Sequence, residues 1–200
     1  MSSTRKWTLV GAVAIAAVVM SGCSTAAPGA AAVVGSDRIS ERELTEKVEQ
    51  VLRAQGRPVD SASEALVVTT LDRLITTSLV EQFAEQEGVS VTQGELDATV
   101  AGFVEATGGQ QAFDDVLLQQ DVAPESAPEL IRVNLLAQKL GAALDPTGGP
   151  EAQSTAVLIA VSDFSEDVGT SVSPRYGVWD PINLSVGAMP NDLSVPGSPS

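Results

Sequence analysis

The chain has no histidine and one cysteine, Cys23, so most side chains that carry nucleophilic and metal-assisted chemistry are missing. Without imidazole there is no Ser-His-Asp or Cys-His system, no common type of zinc site and no ordinary general base at neutral pH. A single thiol forms no internal disulfide. Acid–base work would fall to carboxylates, Ser, Tyr or Lys. Asp163, Asp167 and Tyr176 are the titratable groups where it could be sought, but the sequence pairs none of them with a second reactive group. They read as loop charges and a packed aromatic. The acidic clusters Glu41/Glu43/Glu46/Glu49 and Asp114/Asp115 read as solvated helix faces, and no D-x-D-x-D-G calcium loop occurs. No catalytic residue, cofactor or metal is expected.

Cys23 sits in "VVMSGCST", residues 18–25, where an apolar run gives way to small residues. Arg5 and Lys6 precede "WTLVGAVAIAAVVM" (7–20), an uncharged stretch shorter than the roughly 20 apolar residues a spanning helix needs. It fits a signal-peptide core. Met20-Ser21-Gly22-Cys23 resembles the lipobox of bacterial lipoproteins, with Met20 where that pattern prefers Leu. The resemblance implies a signal peptide over 1–22, diacylation of the Cys23 sulfur and cleavage just before it. Each buried methylene contributes about 0.8 kcal/mol, so several acyl chains hold a domain at a membrane for long periods. The expected location is the extracytoplasmic face of the cell membrane. Residues 23–30, rich in small side chains, would act as a flexible tether.

The charge balance is 11 basic against 26 acidic residues, or −15. A body this acidic excludes nucleic acid as partner, since phosphates demand Lys and Arg. Apolar residues reach 44% with only 4% aromatic, a mixture that favours helix packing over a β-sandwich.

The elements follow from periodicity. Residues 31–39 read as a short strand, a turn at Gly35-Ser36-Asp37 and a return. Capping boxes at Ser40/Glu43, Ser61/Glu64 and Thr92/Glu95 open three helices, the second over about 61–87. Two more are expected over about 110–120 and 125–144, the last with Leu130, Val133 or Asn134, Ala137, Leu140 and Leu144 on one side. "STAVLIAVSDF" (154–164) is β-branched and apolar and reads as a strand; 170–180 reads as a second extended segment, with Pro174 at an edge or in a loop. From Pro181 the chain is expected to fray as a tail over 181–200. The fold class is therefore mainly α: a multi-helix module with a small two- or three-stranded β element formed by N- and C-terminal segments. A lone strand must pair, and the segment near Val33 is expected to pair with the one near Leu158.

This order resembles the N-terminal chaperone domain of the SurA family, shared in outline with the PrsA foldases and the C-terminal module of trigger factor. The residues that carry it are "AAVVGSDRISERELTEKV", "LDRLITTSLVEQFAEQEGVSVTQGELDATV" and "PELIRVNLLAQKL", over roughly 31–144. The turn is Gly-Ser-Asp where the family often has Asn-Gly. In the foldases a parvulin prolyl isomerase follows the helical module. Here about ten residues separate Leu144 from the expected strand near Thr155, which cannot hold one. The parvulin histidine pair is missing too. The resemblance implies a helical domain over 31–180, closed by C-terminal strands, that binds unfolded or exported polypeptides without isomerase activity. The alternative is a non-catalytic envelope scaffold that docks one specific partner.

Candidate polypeptide-binding residues are Phe103, Phe113 and Leu117 on the third and fourth helices, although apolar residues at helical spacing more often face a core. "SPRYGVWDP" (173–181) is the densest aromatic stretch. Arg175, Tyr176 and Trp179 there could be a partner-binding knob. The preferred reading is a C-terminal clamp, with Trp179 covering the helical core and Arg175 paired to a carboxylate.

Overall fold

The computed structural model describes residues 29–189, so Cys23, the expected signal peptide and most of the tether lie outside the described residues. Strand β1 (Ala30–Val34) turns at Gly35 into β2 (Asp37–Ser40). The turn places Gly35 at φ +57, the left-handed region that glycine enters without penalty. Helices α1 (Glu41–Ala54), α2 (Glu64–Gln86), α3 (Gln93–Thr107), α4 (Gln110–Gln119), α5 (Ala127–Leu144) and α6 (Pro150–Asp167) follow. Short strands β3 (Ser171–Val172), β4 (Val178–Asp180) and β5 (Ser185–Gly187) complete the order. The chain is mainly helical with small antiparallel sheets near its ends, as its sequence pattern indicates.

Two of the three capping boxes form as spaced. Ser40 Oγ accepts from the Glu43 amide at 3.1 Å, and the Glu43 carboxylate accepts from the Ser40 amide at 3.4 Å. Thr92 and Glu95 reciprocate at 3.3 and 2.8 Å. The Ser61/Glu64 box does not form. Pro58 starts a 3-10 turn over Val59–Ser61, and the Ser61 hydroxyl donates to the Pro58 carbonyl at 2.6 Å. With that hydroxyl committed, α2 begins two residues later than expected, capped by Ser63, which accepts from the Leu66 amide at 3.2 Å.

The main correction concerns 154–164, expected as a strand and found inside α6. Val157, Val161 and Phe164 are its buried apolar residues, spaced four and three apart, which is a helical stripe. Gly149 and Pro150 supply the start signal, with proline in the first turn. Packing of that stripe on α5 and α2 outweighs the β preference of Val and Ile. The partner of β1 is consequently β3, with Ala32 opposite Val172 and Val33 opposite Ser171, and not the segment near Leu158. The sheet order is β2-β1-β3. A second correction is at the C-terminal side, where residues after Pro181, expected to fray, return as β5 and pair with β4. On α5 the buried face is Ala127, Ile131, Val133, Leu136, Leu140 and Gly141, while Leu144, expected inside, is 39% exposed.

The apolar interior has two parts. The larger joins β1, α1, α2, the second half of α5 and α6 around Leu52, Leu71, Ile75, Leu79 and Leu140, all fully buried. The smaller holds the α3–α4 hairpin on the start of α5 through Leu96, Phe113, Leu117, Val122, Ala127 and Ile131. Helix α5 is therefore the shared wall of both cores.

Candidate functional site: a neutral groove among three helices

A groove of about 660 Å³ opens between the end of α3, the middle of α5 and the first half of α6. Three local facts shape it. Gly141 lets α6 approach α5 closely: a Cβ there would stand 3.0 Å from the Gln153 Cβ and 3.2 Å from its carbonyl oxygen. The Asp145 carboxylate accepts from the Gly148 amide at 2.9 Å, closing the tight reversal between the two helices. The Gln153 side-chain carboxamide donates through Nε2 to the Asp145 carbonyl at 3.1 Å and fixes the start of α6 to that turn. Outside the groove, Lys139 of α5 donates to Glu95 in the first turn of α3 at 2.5 Å and to the Ser90 carbonyl at 2.9 Å.

The Lys139 ammonium, together with the Thr92 amide and hydroxyl, pulls the Glu95 carboxyl down to about 2. Glu95 thus caps α3 and ties it to α5 with the same carboxylate.

Of the residues singled out as polypeptide-binding, only Phe103 lines this groove, and it is 47% exposed. Phe113 and Leu117 are 6% and 4% exposed and belong to the smaller core. Phe113 nevertheless touches the site indirectly, since its ring stacks on that of Phe103 at 6.5 Å between centroids. It orients the exposed ring from below. The remaining lining comes from Asn134, Ala137 and Gln138 of α5 and from Gln153, Ser154 and Val157 of α6, with Gly141 and Pro150. No lining residue is charged. These residues escape a reading of the sequence because α6 is hidden behind its β-branched composition. The available signal was Gly141 inside an otherwise strong helical run.

The one hydroxyl in the lining, Ser154, donates to the Pro150 carbonyl at 2.8 Å, and no titratable side chain lines the groove to activate it. The groove offers an aromatic face, small apolar surfaces and carboxamides able both to donate and to accept, which suits the alternating donors and acceptors of a peptide backbone. Asp163 and Asp167 lie exposed on α6.

The C-terminal segment folds against α1, α2 and α6. The Trp179 indole donates to the buried Ser165 hydroxyl at 2.6 Å, and its ring packs against the main core. The Tyr176 hydroxyl donates to the Glu41 carboxylate; Arg175 pairs with the same carboxylate at 3.4 Å and lies 5.0 Å over the Tyr176 ring. Burial, reinforced by that hydrogen bond, pushes the Tyr176 phenol up to about 12. The Val186 amide donates to Asp72 at 2.7 Å. Burial pushes the Asp72 carboxyl up, against the pull of that amide. Gly177, at φ +134, passes so near β5 that a Cβ would meet the Gly187 carbonyl oxygen at 2.1 Å.

The sequence profile of the SurA-like N-terminal domain matches residues 1–141. Chaperone SurA of Chromohalobacter salexigens is 33% identical over 112 residues, which cover 54% of this chain and 26% of that protein. The chain therefore aligns with about a quarter of the length of that relative. No solved structure matches it significantly.

Proposed function

The chain belongs to the family of SurA-like N-terminal domains, and from that membership we propose that it is a chaperone-like holdase for unfolded or exported polypeptides. The observation that carries the proposal is Phe103, held half-exposed over a neutral groove whose amides and apolar patches can take an extended chain of many sequences. Leu158 and Ile159, 48% and 57% exposed, are further apolar surface on α6, the helix that contributes Val157 to the groove.

The proposed action is binding without isomerisation. In support, residues 145–149 between α5 and α6 form only a tight turn, and α6 packs back on α5. The proposed location is the extracytoplasmic membrane face, through lipid on Cys23, and rests on the Met20-Ser21-Gly22-Cys23 pattern. Replacing Cys23 by Ser should move the protein out of the membrane fraction and remove the acyl mass from its N-terminal peptide. An unchanged mass would end the anchoring proposal.

The decisive assay is suppression of aggregation of a denatured exported protein by the full chain in nanodiscs. Ser154→Trp, which fills the groove, should abolish suppression while the melting temperature stays within a few degrees. Absence of suppression by the wild-type chain at stoichiometric ratios would overturn the proposal. Capture of one folded partner at fixed stoichiometry would favour a docking scaffold instead.

A further inference from the structure

A second groove, of about 530 Å³, runs along α3 and shares no lining residue with the first. Asp97, Val100, Ala101, Val104 and Glu105 line it, and their recurrence every three to four residues puts them on one face of the helix. Pro128, in the first turn of α5, and Gln110, the first residue of α4, extend the lining beyond α3. The floor is apolar: Leu96 is 2% exposed, and Val100 and Val104 are half-buried against the smaller core. Two carboxylates, Asp97 and Glu105, line this groove, and no basic side chain does. Asp97 accepts from the Gln93 carboxamide at 2.7 Å; neither carboxylate has an ion pair among the described residues. Arg132, one turn beyond Pro128 on α5, points to the Val91 carbonyl and Gln93, 3.4 Å from each, and is not part of the lining.

The lining has little to offer a peptide backbone. Gln93 donates to Asp97 and accepts from Arg132, and Gln110 donates to Asp114 at 2.7 Å, so both carboxamides are engaged. An extended chain laid here would find few partners for its amides and carbonyls, whereas a helix satisfies its own. We infer that this face of α3 docks an amphipathic helix of a partner protein, its apolar stripe on Val100 and Val104 and a Lys or Arg at each end of that stripe. Asp97 and Glu105 are eight residues apart on α3, about 12 Å along its axis, which matches cations seven or eight residues apart on the incoming helix. The apolar stripe supplies most of the affinity, and the two exposed ion pairs set partner choice. Salt weakens those pairs and leaves the stripe in place. This docking is independent of the polypeptide reading of the first groove.

The test uses the full chain in nanodiscs of uncharged lipid, with empty nanodiscs as reference. Three short fluorescent helical peptides share one leucine stripe and carry Lys, Gln or Glu at its two ends. At low salt, anisotropy should rank Lys above Gln above Glu, with about tenfold in Kd between the extremes. Asp97→Asn combined with Glu105→Gln should close most of that gap. Ala101→Trp, which fills the groove, should abolish binding of all three peptides, and Ser154→Trp, in the other groove, should leave it unchanged. Asp97, Ala101 and Glu105 are all exposed, so the melting temperature should stay near that of the wild type. A Lys-flanked peptide with a central proline, which breaks the helix, should bind roughly tenfold more weakly. Equal affinities for the Lys and Glu peptides, a gap unchanged in the double variant, full binding to Ala101→Trp, loss of binding in Ser154→Trp, or equal binding of the proline peptide would overturn the inference. Each of these results would leave the holdase assay to be judged by itself.

Discussion

Phe103 and Leu117 lie on neighbouring helices and differ in what their removal should do. Leu117 is inside the smaller core, so Leu117→Ala leaves a cavity and should cost about 3 kcal/mol of stability, read as a lower urea midpoint. Phe103→Ser removes an exposed ring and one stacked aromatic pair, a loss of about 1 kcal/mol. Holdase potency should fall with the second change far more than with thermal stability. A Phe103→Ser protein of unchanged potency would detach this ring from function. Glu95 supplies a pH prediction. Its folded carboxyl titrates near 2, below its ordinary value of 4.5, so its contribution is fully present above about 4.5 and is lost as the pH falls through 2. A carbon-detected NMR titration should show this glutamate still ionised at pH 3. A midpoint near 4.5 would mean that Lys139 does not hold it in solution.

At the scale of elements, two glycines decide how neighbours meet. Gly141 sets the approach of α5 and α6. Gly141→Ala must push Gln153 away and should cost about 1–3 kcal/mol while widening the groove. Gly177→Ala is more severe locally, because the added methyl collides with the Gly187 backbone and the φ of +134 suits glycine alone. Loss of amide protection confined to Val178–Asp180 and Ser185–Gly187 is the expected result. Protection equal to wild type would show that the strand pair tolerates a shift. Helix α6 shows how an element is misread. Its run of Val, Leu and Ile has strand-like composition, yet the spacing of Val157, Val161 and Phe164 is helical and a proline stands at its start. Local preference and the available packing partner disagree, and the partner wins.

For the molecule as a whole, the C-terminal segment is the closing piece. Ending the chain after Phe164 removes Ser165 under Trp179, the β3 partner of β1, and the Tyr176 and Arg175 contacts to Glu41. We propose that these residues act together as a clamp. The truncation should then lower stability by roughly 3 kcal/mol, or about 6–12 °C in Tm for a chain of this size. An unchanged Tm would make Arg175, Tyr176 and Trp179 a partner-binding knob instead.

By itself, the sequence determined what is local: the missing imidazoles that narrow the available chemistry, two capping boxes, the turn at Gly35, the helical character of α1–α4 and the order of pieces shared with the SurA-like family. Each depends on residues a few positions apart, where backbone geometry leaves few choices. Tertiary structure decided that Phe113 and Leu117 face inward while Phe103 does not, that 154–164 is helical, that β1 pairs with Ser171–Val172, and that Asn134, Gln138 and Ser154 meet in one groove. Those outcomes depend on which surfaces α5 and α6 bury against each other. Periodicity along one segment specifies a face, but the partner that covers it comes from elsewhere in the chain.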